Sequence, residues 1–174
     1  IHHTATSIQL PQVIASIAAD LAEAIREQGS GNTGPHPKAG PTAAELMNQA
    51  GEGGAVLLAP VSGYVQFIRH QSLVRLATEA DAVINLEHRP GHFIVGGHRF
   101  ATVWPPEAAR HIRQALGRAH VVGPYRTLSQ DVSFGIDQLV EIALRALSAA
   151  VNDTFTALTC IDWLGESLCK IVVQ

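Results

Sequence analysis

Residues with chemistry to offer lie in two places in this chain of 174 residues. The first is a set of histidines. His88 and His92 flank a Pro90-Gly91 turn, and His98 follows the next turn at Gly96-Gly97. Three imidazoles around one pair of β-turns could converge on zinc. No carboxylate or cysteine stands at a known ligand spacing beside them, however, and geometry rather than number decides ligation. The plainer reading makes them exposed turn residues. His2 and His3 are adjacent and diverge on a helix. The second place is polar. "YRTLSQDVSFG" at 125–135 supplies Arg126, Gln130 and Asp131, and Arg145 with "VND" at 151–153 supplies Asn152 and Asp153. These side chains could hold a small ligand, serve in catalysis, or meet another chain. Asn and Asp are also among the best helix N-caps, since their oxygens accept bonds from free first-turn N–H groups. On that bland reading Asp131 or Ser129 starts one helix and one of Asn152 and Asp153 starts another, and the second of the latter pair is left for another use.

Other catalytic patterns are missing. Ser62 sits in "PVSGYV", outside the G-x-S-x-G elbow that exposes an attacking hydroxyl. There is no P-loop and no G-x-G-x-x-G, and "VGGH" at 95–98 lacks the strand–loop–helix setting of a phosphate cradle.

The polar groups must be positioned by helices at both ends and by strands between. Leu10, Val13, Ile14, Ile17, Leu21 and Ile25 recur at helical spacing, which predicts a helix over 10–28 with Pro11 in its first turn. A Gly/Pro loop at 29–41 precedes a short helix at 42–50. Strands are expected within 55–68, with a break at Pro60, and again near 82–86, 92–95, 99–104 and at "AHVVG". Helices are expected over 70–81 and 106–118, the first with Leu73, Leu76 and Ala77 on one side.

The final third is helical. Ile136, Leu139, Val140, Ala143 and Leu147 form one apolar face, and Leu158, Ile161, Leu164, Leu168 and Val172 another on a helix over 154–173. Glu141 precedes Arg145, and Glu166 precedes Lys170, in the favourable order for i,i+4 ion pairs. A short connection makes the two helices antiparallel neighbours, which separates Asp131 from Asp153 within one chain. Contact between them would need two chains.

The segments are thus 1–28, an amphipathic helix; 29–54, a linker and short helix; 55–124, a β-rich core with an inserted helix; and 125–174, a helical hairpin. The fold class is α+β, with N- and C-terminal helices packed together.

Composition narrows the setting. The chain is 47% hydrophobic and 16% charged, enough for a sizeable core with apolar surface left for a partner or further copies of itself. A net charge of -3 gives no basic footprint for nucleic acid. Cys160 and Cys169, both in one expected helix, are not expected to pair and read as packed thiols of a reducing compartment. No apolar run reaches the roughly 18 residues a membrane span needs, and no signal peptide is visible. The opening Ile1 reads as the start of a piece of something longer.

Two resemblances refine this. "APVSGYVQFI" and "RPGHFIVGGHRFATVWP" resemble the two halves of a barrel-sandwich hybrid, the biotinyl- and lipoyl-carrier type of β fold, through Pro60, Gly63 and Val65, then Gly91, Val95, Gly96, Gly97 and Phe100. Carrier domains attach their cofactor to a hairpin Lys. Lys38 and Lys170 are the only lysines here, so no attached cofactor is expected.

The order "IHHTATSIQ", "APVSGYVQ", "RPGHFIVGG" and "YRTLSQDVSFGIDQLVEIALRALSAAVNDTFTALTCIDWL" resembles the C-terminal soluble part of the bacterial DUF2254 family of predicted membrane proteins. Arg126, Thr127, Gln130, Asp131, Phe134 and Gly135 match its pattern, as do Arg145, Ala146, Leu147, Ser148, Asn152, Asp153, Thr156 and Ala157. Ala149 and Thr154 stand where that family usually has Pro, and Val151 where it has Ile. The resemblance implies transmembrane helices before Ile1, a juxtamembrane position for the helix at 10–28, and a domain on the cytoplasmic side of the bacterial inner membrane. It implies no reaction. The expected function is a non-enzymatic regulatory or assembly domain that self-associates, attached to a membrane-embedded part such as a transporter or channel. The alternatives are a ligand-binding or catalytic domain using the 126–131 and 152–153 loops, and a metal sensor using His88, His92 and His98.

Overall fold

Elements from both ends of the chain make one unit, and the residues between them make a second. In the computed structural model, which describes residues 2–30 and 41–173, the first unit comprises residues 1–34 with 127–174 and the second residues 35–126. The Gly/Pro loop expected at 29–41 and Lys38 fall largely or wholly outside the described residues, as do the side chains of His2 and His3.

The first unit is three helices: α1 (His2–Ser30), α5 (Val132–Ala146) and α6 (Thr154–Val173). Its core is Ile14, Ile17, Leu21 and Ile25 of α1 with Leu139 of α5 and Cys160 of α6. The α1 stripe therefore packs as its spacing predicts, except that Val13 is exposed. The helix starts at His2, well before residue 10, so Pro11 lies inside it. A proline removes its own N–H bond to the preceding turn, while the buried stripe after it anchors the rest. Gly135 sits where α1 crosses α5. A Cβ there would stand 2.9 Å from Leu21 Cδ1 and 3.1 Å from Leu128 Cδ2, so a larger residue would force these leucines to shift.

The face that α6 buries differs from the expected one. Ala157, Cys160 and Ser167 are buried, with Trp163 and Leu164 partly so, whereas Leu158, Ile161, Leu168 and Val172 are exposed. α5 behaves alike: Gly135, Leu139 and Ala146 are buried, while Val140, Leu144 and Leu147 are exposed. The reason is steric. Small residues let helix axes approach closely, so the packed seam runs along Ala157, Cys160 and Ser167 and the larger side chains are turned outward.

The second unit holds α2 (Ala43–Gly53), β1 (Ala55–Leu58), β2 (Gly63–Ile68), α3 (His70–Glu79), β3 (Val83–Leu86), β4 (Phe93–Ile94), β5 (Arg99–Trp104), a 3-10 turn at Pro106–Ala108, α4 (Ala109–Ala119) and β6 (His120–Gly123). The strands form two three-stranded antiparallel sheets, ordered β1-β5-β3 and β4-β2-β6. Ala55 faces Val103 and Val83 faces Trp104 in one, and Ile68 faces His120 in the other. Alternating β-branched and aromatic residues suit these half-buried strands. Their inner faces share a core of Leu57, Val65, Ile68, Ile94, Phe100 and Val103, and Ile112 and Leu116 of α4 and Leu73 and Leu76 of α3 join it. Gly63 lets β2 and β6 meet, since a Cβ there would lie 2.8 Å from the Gly123 carbonyl oxygen. The α+β class holds, with terminal helices packed together.

Candidate functional site

The polar motif residues of the helical unit act first on the ends of its helices. Asp131 is the N-cap of α5. Its Oδ1 accepts from the Phe134 amide at 3.1 Å, and the residue is only 5% exposed. Four first-turn N–H groups of any helix lack an internal partner, and this carboxylate takes one of them.

The turn after α5 is built from "LSAAVND". The Leu147 amide donates to Ala143 O at 3.0 Å, Ser148 to Arg145 O at 3.1 Å, and Asn152 to Ser148 O at 2.9 Å. Asn152 then adopts φ 49°. This left-handed conformation is tolerated by Asn far better than by most residues, because its short polar side chain bonds locally. The reversal lets the Asp153 amide reach Ala146 O at 2.7 Å, which closes the end of α5. Asp153 then starts α6. Its Oδ1 accepts from the Thr156 amide at 3.1 Å and its Oδ2 from the Thr156 hydroxyl at 2.6 Å. These bonds, the hydroxyl first, hold the carboxylate below its ordinary pKa. The Asn-Asp pair thus divides the work: Asn152 turns the chain and Asp153 caps. The residue left over by the capping argument is the one that reverses the backbone.

Asp131 and Asp153 are not brought together. They lie at opposite ends of α5, whose 15 residues put them about 22 Å apart along the axis. Arg145 forms an exposed ion pair with Glu141 at 2.6 Å, as the i,i+4 spacing predicts, and Lys170 pairs with Glu166 in the same way. Arg126 closes the β-rich unit and Gln130 precedes the α5 cap, and both are half-buried.

The histidines are engaged locally. His88 Nε2 bonds Arg99 O at 3.2 Å, and Arg89 Nε donates to His92 Nε2 at 3.1 Å. The His88 and His92 rings meet edge-on with centroids 6.0 Å apart. The His98 amide closes the turn onto Val95 O at 3.0 Å. Among the described residues no three of His, Cys, Asp and Glu are grouped so that they could hold a metal ion, so the arrangement expected of His88, His92 and His98 is not formed. Ser62 is structural too: its Oγ accepts from the Gly96 amide at 2.8 Å and ties two β-turns together.

Three further features stand out: one with a local signal, one on the apolar face already expected of α6, and one formed only by the tertiary fold. Thr42 and Glu45 form a reciprocal cap at α2, with the Thr42 amide donating to Glu45 Oε2 at 2.7 Å and the Glu45 amide to Thr42 Oγ1 at 3.3 Å. The T-x-x-E spacing is its signature. On α6, Leu158, Ile161, Gly165, Leu168 and Val172 follow the 3-4 spacing of a coiled-coil seam. The four large members are 51%, 55%, 58% and 84% exposed, and a Cβ on Gly165 would meet nothing within 4 Å. Val140, Leu144, Leu147 and Val151 add exposed apolar surface on α5 and its turn. Lastly, Arg69, Arg75 and Arg118 gather around one cleft.

Among the described residues no helix is long and apolar enough to cross a membrane. The family described as "Predicted membrane protein (DUF2254)" matches the chain over residues 1–174. An uncharacterized protein of Mycobacterium bovis is 35% identical over 114 residues, a match covering 63% of this chain and 22% of the relative. An uncharacterized protein of Mycobacterium tuberculosis strain H37Rv matches with the same identity and coverage. The match therefore spans less than a quarter of the length of these relatives. No solved structure matches the chain.

Proposed function

The chain belongs to the DUF2254 family of predicted membrane proteins, and from that premise we propose that it is a non-enzymatic assembly domain attached to the membrane-embedded part of a longer protein. It works by pairing with a second copy of itself through α6. The observation that carries this reading is the seam Leu158, Ile161, Gly165, Leu168 and Val172, apolar, regularly spaced and largely exposed among the described residues. Leu158 and Val172 stand seven residues on either side of Gly165, with Ile161 four before it and Leu168 three after it. An antiparallel copy centred on Gly165 would oppose Leu158 with Val172 and set Ile161 one residue out of step with Leu168, so that these two interdigitate, and the missing side chain at Gly165 would let the two backbones approach. Self-complementary patches of this kind are what twofold dimers require. Full burial of each large side chain contributes about 1.5–3 kcal/mol. The rigid α5–α6 turn set by Asn152 and Asp153 keeps the seam presented. A place on the cytoplasmic side agrees with two cysteines that are both free thiols.

The test is light scattering and native mass spectrometry of the chain, alongside Ile161→Asp/Leu168→Asp and Gly165→Cys. A dimer that the double aspartate variant converts to a folded monomer, and that Gly165→Cys locks by a disulfide, supports the proposal. A wild-type monomer at about 100 μM, well above the range of specific dimers, overturns it. So does a dimer indifferent to these changes.

A further inference from the structure

The β-rich unit carries a cleft of about 320 Å³ between α3 and α4. Its floor is apolar: Leu73 and Leu76 of α3 and Ala119 of α4 are buried there. Its rim is cationic, with Arg69, Arg75 and Arg118 and the hydroxyl-bearing Ser72. In a chain of net charge -3 that holds only 12 basic residues in all, three arginines at one cleft are a marked local excess. The one carboxylate at the rim, Glu79, stands 3.9 Å from Arg75. Among the described residues no carboxylate pairs with Arg69 or Arg118.

The placement is built rather than incidental. The Arg69 amide donates to Ala119 O at 2.8 Å, and its Nη1 donates to Arg118 O at 2.5 Å. These bonds fasten the start of α3 to the end of α4 and fix the Arg69 guanidinium at the mouth of the cleft without cancelling its charge. Arg69 is also the N-cap position of α3, and no side chain caps that helix. Its first-turn N–H groups therefore add to the positive potential beside Ser72.

We infer that this cleft binds a phosphate ester with a short apolar body, the phosphate held by the Arg69 and Arg118 guanidinium groups and the body laid on Leu73, Leu76 and Ala119. A guanidinium presents paired donors that match phosphate oxygens, which a lysine ammonium cannot. The apolar floor favours an alkyl or glycerol-like group over the bare ion. That chemistry occurs both in a membrane phospholipid headgroup and in a free organic phosphate. The inference is independent of α6 self-pairing, since it concerns the other unit.

The experiment titrates the labelled full chain with hexyl phosphate and with inorganic phosphate, following backbone amide NMR shifts at 69–76 and 115–119. Sedimentation with phosphatidylcholine vesicles, with and without phosphatidylglycerol, distinguishes the sources. Hexyl phosphate is expected to shift those amides and to bind more tightly than inorganic phosphate. Arg118→Gln, which leaves the Arg118 carbonyl bond intact, should weaken binding roughly tenfold, the scale of one charge-assisted bond. Arg75→Gln is the second variant, since its side chain is exposed and, among the described residues, tied only to Glu79. Arg118-dependent sedimentation with phosphatidylglycerol alone assigns the headgroup, and hexyl phosphate binding without it assigns a free ester. No shift at millimolar ligand overturns the inference, as does binding that neither variant weakens.

Discussion

Asp153 holds Thr156 twice, accepting from its amide through Oδ1 and from its hydroxyl through Oδ2. Both carboxylate oxygens are thereby committed to the first turn of α6. Its lowered pKa follows from those bonds. The stabilisation is fully present above the ordinary value of 3.8 and is lost as pH falls through the lower folded value. Asp153→Asn should lower the melting temperature by a few degrees at pH 7 and flatten its acid dependence in calorimetric scans between pH 5 and 2. Thr156→Ala should reproduce part of that flattening. An unchanged acid limb in both variants would remove the cap from the account.

Asp131→Ala should cost about 1 kcal/mol through the lost α5 cap, read by urea denaturation. Gly135→Ala should cost about 1–3 kcal/mol, because its methyl group meets Leu21 and Leu128. A neutral Gly135→Ala would mean that α1 and α5 are less tightly apposed than described.

His120 gives the β-rich unit a pH limit near neutrality. Burial first, and His70 less, lower its pKa below 6.5, although its bond to Leu116 O opposes them. Among the described residues Nε2 is buried without a partner, and the ring lies edge-on to Phe100 at 4.6 Å. Above 6.5 the ring is neutral in both states. Below it the unfolded chain takes up the proton first, so stability falls with pH until the folded value is reached. His120→Phe should remove that slope between pH 7 and 5, whatever its effect on stability at pH 7. A slope that persists would assign the dependence to another group.

The two thiols should separate in reactivity. Cys169 is exposed on α6, whereas Cys160 is buried in the helical core with its pKa raised by that burial. In native protein a chromogenic disulfide should titrate one thiol quickly, and the second should appear only with urea. Two fast thiols would contradict the packing of α6 onto α1.

What could be read from the sequence follows from local physics. The stripes of α3 and α4, the strands broken at Pro60 and Pro90-Gly91, and the caps at Asp131 and Asp153 depend on neighbours a few residues away, and each is found near its expected place. The start of α1 was missed because Pro11 imitates a first-turn residue. The buried face of α6 was missed because that helix is apolar on more than one side. Hydrophobicity chose Leu158 and Leu168, whereas close approach chose Ala157, Cys160 and Ser167. Arg69 and Arg118 meet only through the tertiary fold, so no spacing announces their cleft.

The helical unit takes its members from opposite ends of the chain, with the β-rich unit inserted between them. Ribosomal synthesis therefore delivers Ile14, Leu21 and Ile25 long before Leu139 and Cys160, the residues that cover them. At roughly 5–20 residues per second the delay is on the order of ten seconds. During that interval the β-rich unit can complete its own core, while the α1 stripe is a bare adhesive surface on the nascent chain. A chaperone has its natural moment of engagement there, before the last helix arrives to displace it.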